Sequence, residues 1–247
     1  MAPRSQVGWR GVAGRAQPLC AVLFDMDGTL VETEQYWGQA LFALAERYGG
    51  QLSPAARAAT VGTSMRSSLQ VLYIDVQVGW TEEQLVADTA WVERTTAGLL
   101  TEAAPWRPGA RELLSEVRSA GLRTALVTTT PRPLADLVLG HITRSLGGAP
   151  FDVTVCGDEV PARKPDPAPY LQAMAALGVE PDSSVVVEDS LAGVAAGLAA
   201  GAAVLGVPSL QPLQPAAGLT IRDTLTGVGV VDLADVLARR VLADAPF

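Results

Sequence analysis

Four groups of polar residues stand at or beyond the ends of apolar runs: Asp25 and Asp27 in the stretch FDMDGTLVETEQYW, Thr128–Thr129–Thr130, Lys164, and Glu188–Asp189. Taken alone, D-x-D-G closes a strand as readily as it builds a site, because Asp bonds nearby backbone and Gly accepts positive φ. Taken with the other three groups it describes a chemistry. Asp25, Asp27, Glu188 and Asp189 repel one another unless a hard cation sits among them, and oxygen ligands suit Mg²⁺. Thr128 and the neighbouring backbone N–H groups can donate to a phosphoryl oxygen, while Lys164 supplies positive charge to both a phosphate and a nucleophile.

These groups meet only if the chain brings the run ends to one edge. Cys20–Phe24, Thr124–Thr128, Phe151–Cys156, Ser184–Glu188 and Ala202–Val207 are short, β-branched or apolar, and separated by helix-like stretches. That alternation predicts an α/β fold, a parallel sheet covered on both faces, with ligands bound outside the carboxyl ends of its strands. Val228–Val230 is expected as a sixth, edge strand. Pro108 and Gly109 open a helix that ends at Gly121, and Ala168–Leu177 stops at Gly178. Pro208 to Pro215 reads as a surface loop.

Gln35 to Pro105 breaks the alternation. Trp37, Leu41, Leu44 and Tyr48 lie at helical spacing before Gly49–Gly50, Ser53–Pro54 opens a further helix, and Thr81 with Gln84 forms a capping box. About 70 residues of helix are too many for a crossover, so 35–105 is expected as an inserted helical domain between core segments 19–34 and 106–247. Trp37, Tyr73, Trp80 and Trp91 are expected in its apolar core. Residues 1–18, with Arg4, Arg10 and Arg15, are expected as a disordered basic tail.

The remaining composition narrows the partners. The chain has 247 residues, 49% of them hydrophobic, and a net charge of −8 that disfavours nucleic acid and anionic membranes. With no long apolar run or signal peptide, the expected setting is the cytoplasm. Cys20 and Cys156 are expected as two buried, reduced thiols. The single histidine, His141, is expected in a surface or capping role after a core helix.

The ordered set resembles the haloacid dehalogenase superfamily, in the branch whose helical cap follows the first strand. It comprises DMDGTL at 25–30, the apolar run ending at Thr128, KPDP at 164–167 and VVEDSLAGVAAGLAAG at 186–201, with PGARELL at 108–114. The resemblance implies a Rossmann-like doubly wound core with an α-helical cap. It assigns Asp25 as nucleophile and Asp27 as general acid/base, with Mg²⁺ held by Asp25, the Asp27 carbonyl, Glu188 and Asp189. Thr128, Thr129 and Lys164 would hold the phosphoryl group. The implied activity is hydrolysis of a small phosphorylated metabolite, a sugar or polyol phosphate; a monomer is expected.

Asp27 argues for an oxygen leaving group, since the dehalogenases lack an acid/base there. The segment 35–105 contains no lysine, which argues against the imine chemistry of related phosphonate hydrolases. It also counts against the β-phosphoglucomutase-like alternative, whose members use a cap lysine and a histidine where Trp37 stands. A binding module without turnover is the remaining alternative. For substrate specificity the sequence points to Glu32, on the hinge side, and to Arg66 within VGTSMRSSL at 61–69, where Gly62 permits a turn.

Overall fold

The structure, a computed structural model, describes residues 18–61 and 63–243. The expected tail, apart from Pro18, and the turn at Gly62 lie outside the described residues.

Strands β1 (Ala21–Phe24), β2 (Arg123–Val127), β3 (Val153–Val155), β4 (Ser184–Glu188), β5 (Ala203–Gly206) and β6 (Leu219–Ile221) form one parallel sheet in the order β3-β2-β1-β4-β5-β6. Alternate residues serve opposite faces. Val22, Phe24, Leu126, Val185, Val187 and Leu205 pack on one side with helices α5 (Ala110–Ser119), α6 (Arg132–Leu146) and α9 (Val230–Ala243). Leu23, Ala125, Val127, Val186 and Val204 pack on the other with α7 (Ala168–Leu177) and α8 (Leu191–Ala199). Burial on both faces is why these strands read as unbroken apolar runs.

The expected edge strand at Val228–Val230 is corrected. The sixth strand is Leu219–Ile221, parallel to β5, while the valines lead into α9. Asp232 accepts a hydrogen bond from the Gly229 N–H at 3.0 Å, the reciprocal arm of a capping box, and Leu233, Val236 and Leu237 then follow at helical spacing on the core. The cysteines divide as well. Cys156 is buried, but Cys20 precedes β1 at the rim of the sheet and is exposed.

Between β1 and α5 the chain forms α1 (Glu34–Arg47), α2 (Pro54–Thr60), α3 (Met65–Asp75) and α4 (Glu82–Glu102). Ser53 Oγ caps the Ala56 N–H at 3.1 Å and Thr81 Oγ1 caps Gln84 N–H at 3.2 Å. The expected box at Thr81 is half made, because the Gln84 side chain reaches forward to Asp88. Helix α3 is the element that sequence reading missed: Ser64 caps the Ser67 N–H at 3.2 Å, so most of VGTSMRSSL is helix.

Leu41, Leu44, Leu69, Leu72, Tyr73, Leu85 and Val92 fill the core of this helical unit. Trp80 stacks on Tyr73 with ring centres 5.9 Å apart and stays 39% exposed, so it covers the core rather than filling it. Buried Asp88 ties three helices together, accepting from Tyr48 OH at 2.5 Å and Tyr73 OH at 2.8 Å. The chain leaves and re-enters the sheet domain side by side: Glu32 N–H donates to Pro105 O and Arg107 N–H to Leu30 O, both at 2.8 Å.

Removing the Asp88 carboxylate strands the buried Tyr73 phenol and the half-buried Tyr48 phenol, and a buried donor left unsatisfied costs about 1–3 kcal/mol. Asp88→Ala is therefore expected to lower unfolding free energy by about 3 kcal/mol in urea denaturation. A loss below about 0.5 kcal/mol, the range of neutral surface changes, would show that the network carries no stability.

Candidate active site

Strand order reverses between β1 and β4, so a crevice opens outside their carboxyl ends. Phe24 pairs with Val187, which sets the next residues, Asp25 and Glu188, side by side in this crevice. Lys164 Nζ joins them. It donates to Asp25 Oδ1 at 2.7 Å, Glu188 Oε1 at 2.7 Å and the Val127 carbonyl at 2.8 Å, giving each ammonium proton one acceptor.

Glu188 is fully buried and both of its oxygens are engaged. Oε1 also accepts from Tyr170 OH at 2.9 Å, and Oε2 accepts from the N–H groups of Asp189 and Ser190 and from Ser190 Oγ at 3.0–3.1 Å. Helix α8 can approach this carboxylate only because residue 193 is glycine: a Cβ there would sit 1.7 Å from Glu188 Oε1. Burial opposes the Lys164 charge, yet Asp25 and Glu188 hold its pKa well above the ordinary lysine value.

Asp25, Glu188 and Asp189 present oxygens within 4.8 Å of one another. Burial, the Glu188 charge and the Asp27 charge push the Asp25 pKa up to about 7 against the pull of Lys164. Burial, then Asp25 and Glu188, pushes Asp189 well up too. An all-oxygen donor set that resists its own ionisation is what a hard divalent cation relieves, so the residues fit Mg²⁺. They fit unequally. Asp25 Oδ2 and Asp189 Oδ2 take no hydrogen bond among the described residues, whereas Glu188 spends its oxygens on fixing Lys164. Asp189 Oδ1 accepts from Thr29 at 3.2 Å, and Gly28, at φ +82°, leaves room for Asp189 Oδ2, which lies 2.1 Å from where a Cβ would stand.

Asp27 turns away from this cluster and accepts three hydroxyls. Thr130 Oγ1 donates at 2.7 Å and Thr128 Oγ1 at 3.3 Å to Oδ2, and Thr33 donates to Oδ1. Thr33 occupies the N-cap position of α1 but makes no cap bond with its side chain; its hydroxyl is diverted to Asp27. Thr128 is placed differently from the expectation. Its buried hydroxyl faces Asp27, and it is Thr129, Thr130 and Lys164 that line the cavity.

That cavity lies between the crevice and the helical unit. The wall from the helical unit includes Glu34, Trp37, Arg57, Ser64, Met65 and Ser68. Arg66 is not in it. Met65 and Ser68, three apart on α3, face inward, so the intervening Arg66 points out and pairs with Glu82, both about half exposed. Glu32 lies on the hinge, paired with Arg107 at 2.8 Å. Trp37 lines the cavity as well as packing on the core. The loop after β5 contributes Leu210 and Gln211, and Gln211 Nε2 donates to the Val61 carbonyl across the cleft at 3.3 Å. His141 sits inside α6, not after it, its ring bonded to the Leu100 carbonyl of α4 at 2.8 Å.

Sequence reading missed Thr33, Arg57, Tyr170 and Ser190. Only Ser190 carried a visible signal, as a cap residue directly before an apolar helix; the others act through the packing of distant elements.

A family model described as haloacid dehalogenase-like hydrolase matches residues 20–201. The chain is 35% identical over 181 residues to the phosphorylated carbohydrates phosphatase of Thermotoga maritima, covering 73% of this chain and 81% of that protein. It is 30% identical over 250 residues to the β-phosphoglucomutase of Mycobacterium bovis, covering 92% and 94%. Among solved structures, CbbY from Rhodobacter sphaeroides in complex with phosphate superposes with a TM-score of 0.74 at 27% identity, covering 87% of this chain and 99% of that one.

The raised Asp25 pKa has a consequence for metal-free protein. Between the ordinary 3.8 and about 7 the folded state holds a proton that the unfolded state has lost, so stability falls as pH rises through that window and levels off above it. Asp25→Asn, which carries no charge, is expected to flatten this slope by up to about 1.4 kcal/mol per pH unit in urea denaturation with EDTA. Parallel profiles for the two proteins would contradict the burial argument.

Proposed function

This chain belongs to the haloacid dehalogenase-like hydrolases, and from that premise we propose that it is a Mg²⁺-dependent phosphatase of a small phosphorylated metabolite, a sugar or polyol phosphate, acting through an aspartyl-phosphate at Asp25. The observation that carries the reading is the open Asp25 Oδ2, held by Lys164 through the other oxygen beside the separately oriented Asp27 carboxyl, at a cavity mouth. The phosphorylated carbohydrates phosphatase and the phosphate-bound CbbY support it by their names and shared fold.

In this mechanism Asp25 Oδ2 attacks phosphorus and the bond from phosphorus to the ester oxygen breaks. Asp27 gives the departing oxygen its proton. With the leaving group gone, Asp27 takes a proton from a water that attacks the phosphorus of the aspartyl-phosphate, releasing phosphate and restoring Asp25. Lys164 keeps the nucleophile charged and oriented, and the backbone N–H of Thr129 would donate to a phosphoryl oxygen, that of Thr130 being held by Thr128 Oγ1 at 3.0 Å. Bound Mg²⁺, held by Asp25, Asp189 and the Asp27 carbonyl with Glu188 behind them, would neutralise charge on those oxygens. The cap closes the cavity against bulk water.

The mutase reading is favoured by one observation, the resemblance to a β-phosphoglucomutase along nearly the whole chain. Against it, the cavity presents Trp37 and no cap lysine.

Phosphate release from a panel of sugar, polyol, nucleotide and glycolytic phosphates, with Mg²⁺ and with EDTA, tests the proposal. Release is expected only with metal; Asp25→Asn is expected to lose it, and Asp27→Asn to slow alkyl esters about 10²–10⁴-fold. Undiminished release by Asp25→Asn would remove the nucleophile, and an isomerised sugar phosphate without net phosphate release would establish the mutase.

A further inference from the structure

Glu34 is the acidic group that the mechanism does not use. It is the first residue of α1, directly after Thr33, whose hydroxyl holds Asp27, and its side chain lines the cavity at only 19% exposure. Burial and then the Asp27 charge raise its pKa, with Arg57 opposing, so the two carboxyls share one end of the cleft.

Arg57 pairs with Glu34 through one carboxylate oxygen and leaves the other open. Its guanidinium is spent on directed bonds inside the cap, Nη2 to the Glu34 backbone carbonyl and Nη1 to Thr60 Oγ1, each at 3.0 Å. It packs against Gly38, where a Cβ would lie 2.7 Å from Nε. It meets the Glu34 carboxylate only through Oε2, at 3.5 Å, and Glu34 Oε1 has no partner among the described residues. An acceptor oxygen is thus left open beside the acid that protonates the leaving group.

Resting on the phosphatase reading, we propose that Glu34 reads the leaving group next to the ester carbon: its open oxygen accepts a hydrogen bond from a hydroxyl or ammonium there and offers no donor to a carboxylate. The residue so sorts polyol and amino-alcohol phosphates from phosphorylated hydroxy acids of the same size. A carboxylate set against that acceptor in a cleft screened from water loses its hydration without a donor in return, a cost that its neutral alcohol avoids. Glu93 adds a second negative group on the cap wall, and Arg163 stands with it as a cation from the sheet domain.

The test compares glycerol 1-phosphate, 2-aminoethyl phosphate and 2-phosphoglycolate as substrates of wild type and Glu34→Gln with Mg²⁺. Wild type is expected to take phosphoglycolate at least about tenfold less efficiently than glycerol 1-phosphate. Glu34→Gln is expected to close most of that gap through KM while weakening use of 2-aminoethyl phosphate. The same esters, titrated calorimetrically into Asp25→Asn and Asp25→Asn/Glu34→Gln, read the ranking without turnover. Equal use of the neutral and anionic esters by wild type, or a ratio unmoved by Glu34→Gln, overturns the proposal and leaves the phosphatase standing. No turnover with the ranking preserved in binding overturns the phosphatase and supports the selectivity; no turnover and no ranking overturns both.

Discussion

The ammonium of Lys164, shut away from water with Asp25 on one side and Glu188 on the other, is the contact on which the rest of the site depends. Burying one cation among carboxylates is costly unless each proton finds an acceptor and the geometry is fixed. Here the geometry comes from the sheet. Adjacent parallel strands β1 and β4 place the two carboxylates side by side, and the carbonyl of Val127 on β2 takes the third proton. Glu188 is in turn pinned by Tyr170, two backbone amides and Ser190, so the lysine cannot follow a solvent-facing partner. The result is a carboxylate with one oxygen held and the other open.

Around that centre the structure separates two kinds of carboxylate. Asp25 and Asp189 crowd together and are driven toward their neutral forms by burial and mutual charge, a tension that invites a cation. Asp27 is turned outward and dressed with hydroxyls. Two carboxyls separated by a single residue so acquire unlike surroundings, a division that one chain segment achieves because Gly28 lets the backbone turn immediately after Asp27 and pass under Asp189.

The sheet and its polar edge were legible in the sequence for a physical reason: strands buried on both faces leave continuous apolar runs, and polar residues at their ends stand out against them. The Val228–Val230 run misled because three residues carry no period; the neighbouring Asp232 and the apolar spacing beyond it decide for helix. The cap side of the cavity was not legible. Whether Arg66 or Arg57 faces the cleft depends on where α3 begins, which Ser64 sets, and on which face of each helix meets the others. Thr128 illustrates the same limit within the motif: it stands at the end of β2, but its hydroxyl is claimed by Asp27, a partner that lies 101 residues away in sequence.

The central claim is that Asp25 becomes covalently phosphorylated. Brief mixing of Mg²⁺-loaded protein with a substrate ester, acid quenching and borohydride reduction, followed by peptide mass spectrometry, reads it directly, because an acyl phosphate is reduced to the alcohol and an ordinary carboxylate is not. The account predicts homoserine at position 25, dependent on both ester and metal. Turnover with Asp25 unmodified at every quench time, or reduction at Asp27, Glu188 or Asp189 in its place, would contradict it.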